Sequence, residues 1–180
     1  MLVGSLGVNV TTLHRLLPDN DLSWALFPTF RRRVEAFTRK NIPSTDPASV
    51  LYDLSNKWVS LPKTTGFWLG LAENKVVAHC ASWILESYGK PFVFIYQTEC
   101  DDGYSLGGIQ GPGMAEMAQW INELNAIIPE GRPKIDRAEM ATWRKAEVWA
   151  RYFASVGLTA AKVRSVIEIP LGSAAAGAVV

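Results

Sequence analysis

Two cysteines, Cys80 and Cys100, and two histidines are all that 180 residues supply of the usual metal-binding side chains. There is no CxxC pair and no paired histidine, so neither a disulfide framework nor a metal site is expected. Reduced thiols in a cytoplasmic protein fit that usage. Excess charge is missing as well: 18 Lys and Arg face 17 Asp and Glu, a net charge of +1. Such a balance gives no electrostatic footprint for nucleic acid. No stretch reaches the 18 or so apolar residues of a membrane span, and no basic segment leads into a short apolar core at the start. No membrane association or signal peptide is therefore expected. Internal repeats are absent too.

What remains is globular. Hydrophobic residues make up 48% and charged residues 19%, and the length suits one domain with a substantial core. Gly7 to Leu13 can form a short strand. Trp24 to Lys40 keeps helical spacing at Leu26, Phe27, Phe30, Val34 and Phe37, with Arg31-Arg32-Arg33 and Arg39-Lys40 as its wet face. After the break Pro43-Ser44-Thr45-Asp46-Pro47, a second helix is expected over Ala48 to Leu61. The pattern then changes to period two. Phe67 to Ala72 and Val76 to Leu85 read as a hairpin, and Phe92 onward as a third strand. A helix follows from Met114 to Ile128, striped by Met114, Met117, Ile121, Leu124 and Ile128. Lys134 to Trp143 is expected to be at least partly strand, Arg144 to Val156 a helix capped by Gly157, and Ala161 to Leu171 a last strand. Seven tryptophans spread over every element read as core and interface filler. The order gives an α+β domain over residues 1–171, helical in 1–65 and with its core in 66–171. An Ala/Gly-rich tail, 172–180, follows.

The most informative stretch is Phe92 to Ile128. An apolar strand, FVFIYQTEC, runs through the Gly-rich loop DDGYSLGGIQGPG straight into a helix. The first N–H groups of a helix have no intrahelical partner, and its dipole adds about half a positive charge there. Gly111 and Gly113 allow close backbone approach to an anion such as a pyrophosphate. A P-loop is excluded by the lack of a Lys-Ser/Thr pair, and a dinucleotide fingerprint by the spacing.

Gln110-Gly111-Pro112-Gly113-Met114-Ala115 fits Gln/Arg-x-x-Gly-x-Gly/Ala, the pyrophosphate signature of the GNAT N-acetyltransferase superfamily, and the chain resembles that superfamily. The element order is also similar. Phe153 to Leu158 matches the spacing of the family's aromatic and Gly-aromatic pair at the end of the fourth helix, with Phe153 where tyrosine is usual. The resemblance covers residues 66–171 well and the first 65 in outline, with residues 6–13 as the family's first strand. It implies a GNAT-like mixed, mostly antiparallel sheet of six or seven strands flanked by about four helices. The fourth and fifth strands would splay to admit acetyl-CoA.

The resemblance further implies acetyl transfer from acetyl-CoA to an amine of a small molecule or protein. Gln110, Gly111, Gly113, Met114 and Ala115 would hold the pyrophosphate, and the strand edge at Thr98 and Cys100 the pantetheine arm. Glu99 is the candidate base, because alternation places Val93, Ile95, Gln97 and Glu99 on one face. Asp101, Asp102 and His79 are its rivals. Tyr152 is the candidate acid for the leaving thiolate, with Tyr96 and Tyr104 as alternatives, since Phe153 cannot donate a proton. Cys100 has no nearby histidine to activate it and reads as an inert thiol. Residues 102–108 look like an extension of the loop. A second role fits the missing tyrosine: a catalytically silent GNAT-like scaffold in a homo-oligomer or larger assembly, such as a viral or other multi-subunit particle.

Overall fold

Asn20 and Asp46 begin two helices by accepting hydrogen bonds from backbone N–H groups that would otherwise be orphaned. Asn20 Oδ1 accepts from Ser23 N at 3.2 Å, opening α1 (Asp21–Asn41). Asp46 accepts from Ala48 N and Ser49 N, with Pro47 as the first residue of α2 (Pro47–Ser60). α1 turns Phe27, Phe30, Val34 and Thr38 inward at spacings of three and four, and α2 adds Leu54 and Trp58. Phe27 stacks on Trp58 with ring centroids 3.9 Å apart, and Trp58 Nε1 donates to Leu16 O at 2.9 Å. Pro28 lies on the exposed side of α1, and the helix continues through it.

The computed structural model describes residues 8–10, 12–105 and 112–140. Strands β1 (Val8–Asn9) and β2 (Thr12–Arg15) precede the helices. β3 (Thr65–Ala72), β4 (Lys75–Ser87), β5 (Lys90–Cys100) and β6 (Tyr104–Ser105) follow, then α3 (Pro112–Ile127) and β7 (Ala138–Met140). The main sheet has the order β2-β3-β4-β5-β7, and β1 pairs separately with β6. The single strand expected near residues 6–13 is thus two pieces in two sheets. Val10, between them, is 1% exposed and packs over Gly70, where a Cβ would come within 3.0 Å of its methyl.

Both hairpins turn through two residues of positive φ, Glu73-Asn74 and Tyr88-Gly89, the geometry that matches strand twist. The pleat then sorts side chains onto two faces. Phe67, Leu69 and Ala81 join Phe30, Val34 and Trp58 beneath α1 and α2. Trp68, Cys80 and Val93 join Trp120, Leu124 and Ile135 beneath α3. Each large apolar side chain so buried contributes roughly 1.5–3 kcal/mol. Met117, Ile121 and Ile128 of the expected stripe pack there too, and Trp120 Nε1 anchors the helix to Lys63 O at 3.0 Å.

β2 to β5 are antiparallel, whereas β7 runs parallel to β5. α3 is the crossover that joins the parallel pair. The expected strand in 134–143 is realised as β7. The expected helix 144–156, the strand 161–171 and the tail 172–180 lie outside the described residues. Among the described residues, no helix is long and apolar enough to cross a membrane, and no group of His, Cys, Asp and Glu could hold a metal ion.

Candidate functional site

Among the described residues, β5 pairs with β4 along its whole length and with β7 from Val93 to Ile95. The described residues end at Met140 of β7, opposite Ile95.

A β-bulge marks the same point. Ala81 pairs with Gln97 and Ser82 with Ile95, leaving Tyr96 as the extra residue on β5. A bulge shifts the pleat by one. Val93 and Ile95 face α3, but beyond the bulge Gln97 Nε2 donates to Thr38 of α1 at 3.0 Å and Glu99 meets Lys40 of α1 at 3.1 Å. The expectation that Val93, Ile95, Gln97 and Glu99 share a face is therefore corrected. Gln97 and Glu99 lie on the α1 side, away from Val93 and Ile95.

The backbone of this segment has a definite polarity. Asp101 N donates to Val77 O at 2.8 Å, on the β4 side. Alternation then turns the N–H and C=O groups of Cys100 and Thr98 to the edge away from β4. These are the two positions expected to pair with a ligand arm. Thr98 stands opposite Cys80 in register, and Cys100 packs near Val10 and Tyr104. Burial pushes the Cys80 thiol up to about 12, with a hydrogen bond from Thr98 offsetting part of the effect. Cys80 therefore stays protonated and unreactive.

The expected anion loop is described from its helical end. Gly113, Met114 and Ala115 lie in the first turn of α3, where the N–H groups of Gly113 and Met114 precede the first i→i−4 bond of the helix. Gln110 and Gly111 lie outside the described residues, as do Tyr152 and Phe153. Within the 102–108 extension, Asp102-Gly103 makes a turn, with Gly103 at φ 85°. Tyr104 and Ser105 form β6 against β1.

Charges on α1 reach the end of β5 in a way the sequence did not suggest. Arg33 Nη2 donates to Asp101 Oδ1 at 2.7 Å and to Val77 O at 3.3 Å, and Nη1 lies 3.4 Å from Asp101 Oδ2. Two of the basic residues expected on the wet face of α1, Arg33 and Lys40, thus hold β5 instead. Both side chains sit on the sheet-facing flank of the helix, where length lets them snorkel past the apolar stripe. Glu99 is 26% exposed and Lys40 70%. Asp102 is exposed.

His79 is opposite Glu99 in register. It is buried, with Phe30 and Phe37 edge-on to its ring, and neither ring nitrogen completes a hydrogen bond among the described residues. Burial, reinforced by the Arg33 charge, lowers its pKa to about 4, although nearby Gln97 and Asp101 oppose the shift. Neutral and enclosed, it is a core residue rather than a solvent-reachable base. Tyr96, its ring tilted 38° to that of Trp83 with centroids 5.3 Å apart, has its pKa raised chiefly by burial and keeps its proton at neutral pH.

No protein-family model matches the chain, and no curated protein matches it by sequence. Solved structures do resemble it. One is an acetyltransferase from Pyrococcus furiosus: TM-score 0.57, 11% identity, covering 88% of this chain and 97% of that one. A second is the aminoglycoside N-acetyltransferase AAC(6')-Iy in complex with CoA: TM-score 0.56, 10% identity, covering 88% and 92%. A third is a Clostridium acetobutylicum acetyltransferase with acetyl-CoA: TM-score 0.55, 12% identity, covering 90% and 97%. With a mostly antiparallel sheet, one parallel pair joined by α3 and a bulge at Tyr96 of β5, the chain has the fold of the GNAT acetyltransferases.

Proposed function

We propose that the chain is an acetyl-CoA-dependent N-acetyltransferase that moves the acetyl group directly to an amine. The observation that carries this reading is the GNAT fold itself, with a bulge in β5 past which the backbone of Thr98 turns away from β4, and a helix start, α3, after it in the chain. The fit to acetyl-CoA is chemical as well as topological. Thr98 offers an amide-bearing arm a donor and an acceptor, as a neighbouring strand would, and Cys100 is the next position on the same edge. The start of α3, with Gly113, Met114 and Ala115, and with Gln110 and Gly111 ahead of it, suits a pyrophosphate.

The donor supplies an acetyl thioester. Attack by a neutral amine forms the new C–N bond, breaks the C–S bond and releases thiolate. Glu99 is the proposed acceptor of the amine proton, from the α1 side of the sheet, with Lys40 swinging away to solvent. Tyr152 is proposed to return a proton to the thiolate. Holding the two reactants in line contributes most where so few groups take part. The acceptor is an amine of a small molecule or of a protein.

Calorimetric titration of acetyl-CoA into the protein and into Gly113→Glu tests the site. Micromolar binding that falls at least about 100-fold in the variant is expected, because a carboxylate at the helix start opposes a pyrophosphate by bulk and charge. Absence of binding to the well-folded parent would overturn the enzyme reading and leave a GNAT-like scaffold. If binding holds, Glu99→Gln should lower kcat by about 100-fold or more with donor affinity unchanged.

A further inference from the structure

A cavity of about 390 Å³ opens between the second half of α3, the β2–α1 connection and the turn from α2 to β3. At about 1.5 Å per residue, its α3 wall, from Trp120 to Ile127, lies roughly 12–22 Å along the helix from Pro112. It is therefore remote from the proposed donor site. Leu17, Trp120, Leu124 and Ile127 give it apolar walls, and its volume is at the small end of ligand pockets.

Its charged groups are unequal. Arg15 is held by the fold: its side chain is 17% exposed, Nη2 donates to Pro62 O at 3.3 Å and Thr65 O at 3.4 Å, and the guanidinium lies 5.4 Å over the Trp120 ring. Nη1 faces Glu123 Oε2 at 3.6 Å, too far for a hydrogen bond. Glu123 is 55% exposed and its other oxygen accepts from Gln119 at 3.1 Å on its own helix. Asp19 is exposed. The two acids are thus solvated and displaceable, whereas the arginine is fixed, half-desolvated and beside an aromatic wall.

We propose that this cavity binds a small carboxylic acid with an apolar body, its carboxylate taking the place of Glu123 on Arg15 and its body lying against Trp120, Leu124 and Ile127. A fixed guanidinium pairs with a carboxylate without the entropy cost of ordering it, and the walls supply apolar burial. The site is independent of the acetyl-transfer reading.

The test uses 3-phenylpropionate as probe and 3-phenylpropanol as its uncharged counterpart, followed through the Trp120 indole N–H resonance of the full chain. Saturable binding with a Kd on the order of 1 mM or tighter is expected, and at least about tenfold weaker for the alcohol. Ile127→Glu places a like charge at an exposed position (65% exposed in the parent) without touching the core, and should weaken the acid by about tenfold or more. Saturating CoA should leave the affinity unchanged. The proposal is overturned by no saturable shift up to about 20 mM. It is equally overturned by equal affinity for acid and alcohol, by unchanged affinity in Ile127→Glu, or by displacement with CoA.

Discussion

His79 is a histidine that gains nothing from folding except exclusion from water. Its folded pKa of about 4 lies below the ordinary 6.5, with burial as the main cause and the Arg33 charge second. The sign follows from linkage: below pH 6.5 the unfolded chain binds a proton that the folded chain refuses. Stability is complete above pH 6.5, declines as pH falls, and levels off near pH 4. At 1.36 kcal/mol per unit, His79 accounts for about 2 kcal/mol of loss by pH 5 and about 3 kcal/mol by pH 4. Urea unfolding of the parent and of His79→Leu at pH 7.5 and pH 5 isolates this contribution. The variant should lose about 2 kcal/mol less than the parent across the interval, and equal losses would show that another group carries the acid limb. Nothing in the sequence distinguished this histidine from one on a wet strand face. Its burial is set by Phe30 and Phe37, which arrive from a helix some forty residues earlier.

Between elements, the contact of α1 with the end of β5 rests on two ion pairs of unequal standing. Arg33 and Asp101 are 16% and 41% exposed and joined through two oxygens, while Lys40 is largely solvated. A double-mutant cycle on Arg33→Met and Asp101→Asn should give a coupling of about 1–2 kcal/mol. The same cycle on Lys40→Met and Glu99→Gln should give less than about 0.5 kcal/mol. Similar values for both pairs would contradict the difference in burial. A weak Lys40 tie is also what a base needs if its partner must leave. At this scale the sequence was informative about existence and type. Periodicity located α1, α2, β3, β4, β5 and α3 to within a few residues, because each helix carries one apolar stripe and each strand is an apolar run bounded by turn residues. It could not show the bulge at Tyr96, since an extra residue leaves no mark in a strand that is apolar and aromatic on both sides. One unseen residue was enough to put Glu99 on the opposite face from Val93 and Ile95. Arg33 escaped notice for a related reason, because a basic run on a helix reads as solvated until a carboxylate from another element is seen beneath it.

For the molecule as a whole, the proposed donor should act as a stabilising ligand. At 100 times its Kd, a ligand that binds only the folded state adds about 2.7 kcal/mol. For a chain of this size that raises Tm by about 5–10 °C. Differential scanning fluorimetry with acetyl-CoA, and with Gly113→Glu as control, reads this directly, and an unchanged Tm in the parent would count against the donor site. The parallel pairing of β5 with β7 has one more consequence, in the order of assembly. β3, β4 and β5 are joined by two-residue turns and can zip locally, but β7 must find β5 across the forty-five residues from Val93 to Ala138. Closing a connection of that length is slow compared with closing a hairpin. During synthesis the meander is therefore expected to emerge and pair well before β7 has left the ribosome. In the interval β5 is a bare sheet edge, open to strands of other nascent chains. The same exposed backbone that is proposed to receive a ligand in the finished protein is, for a short time, its point of greatest exposure to misassembly.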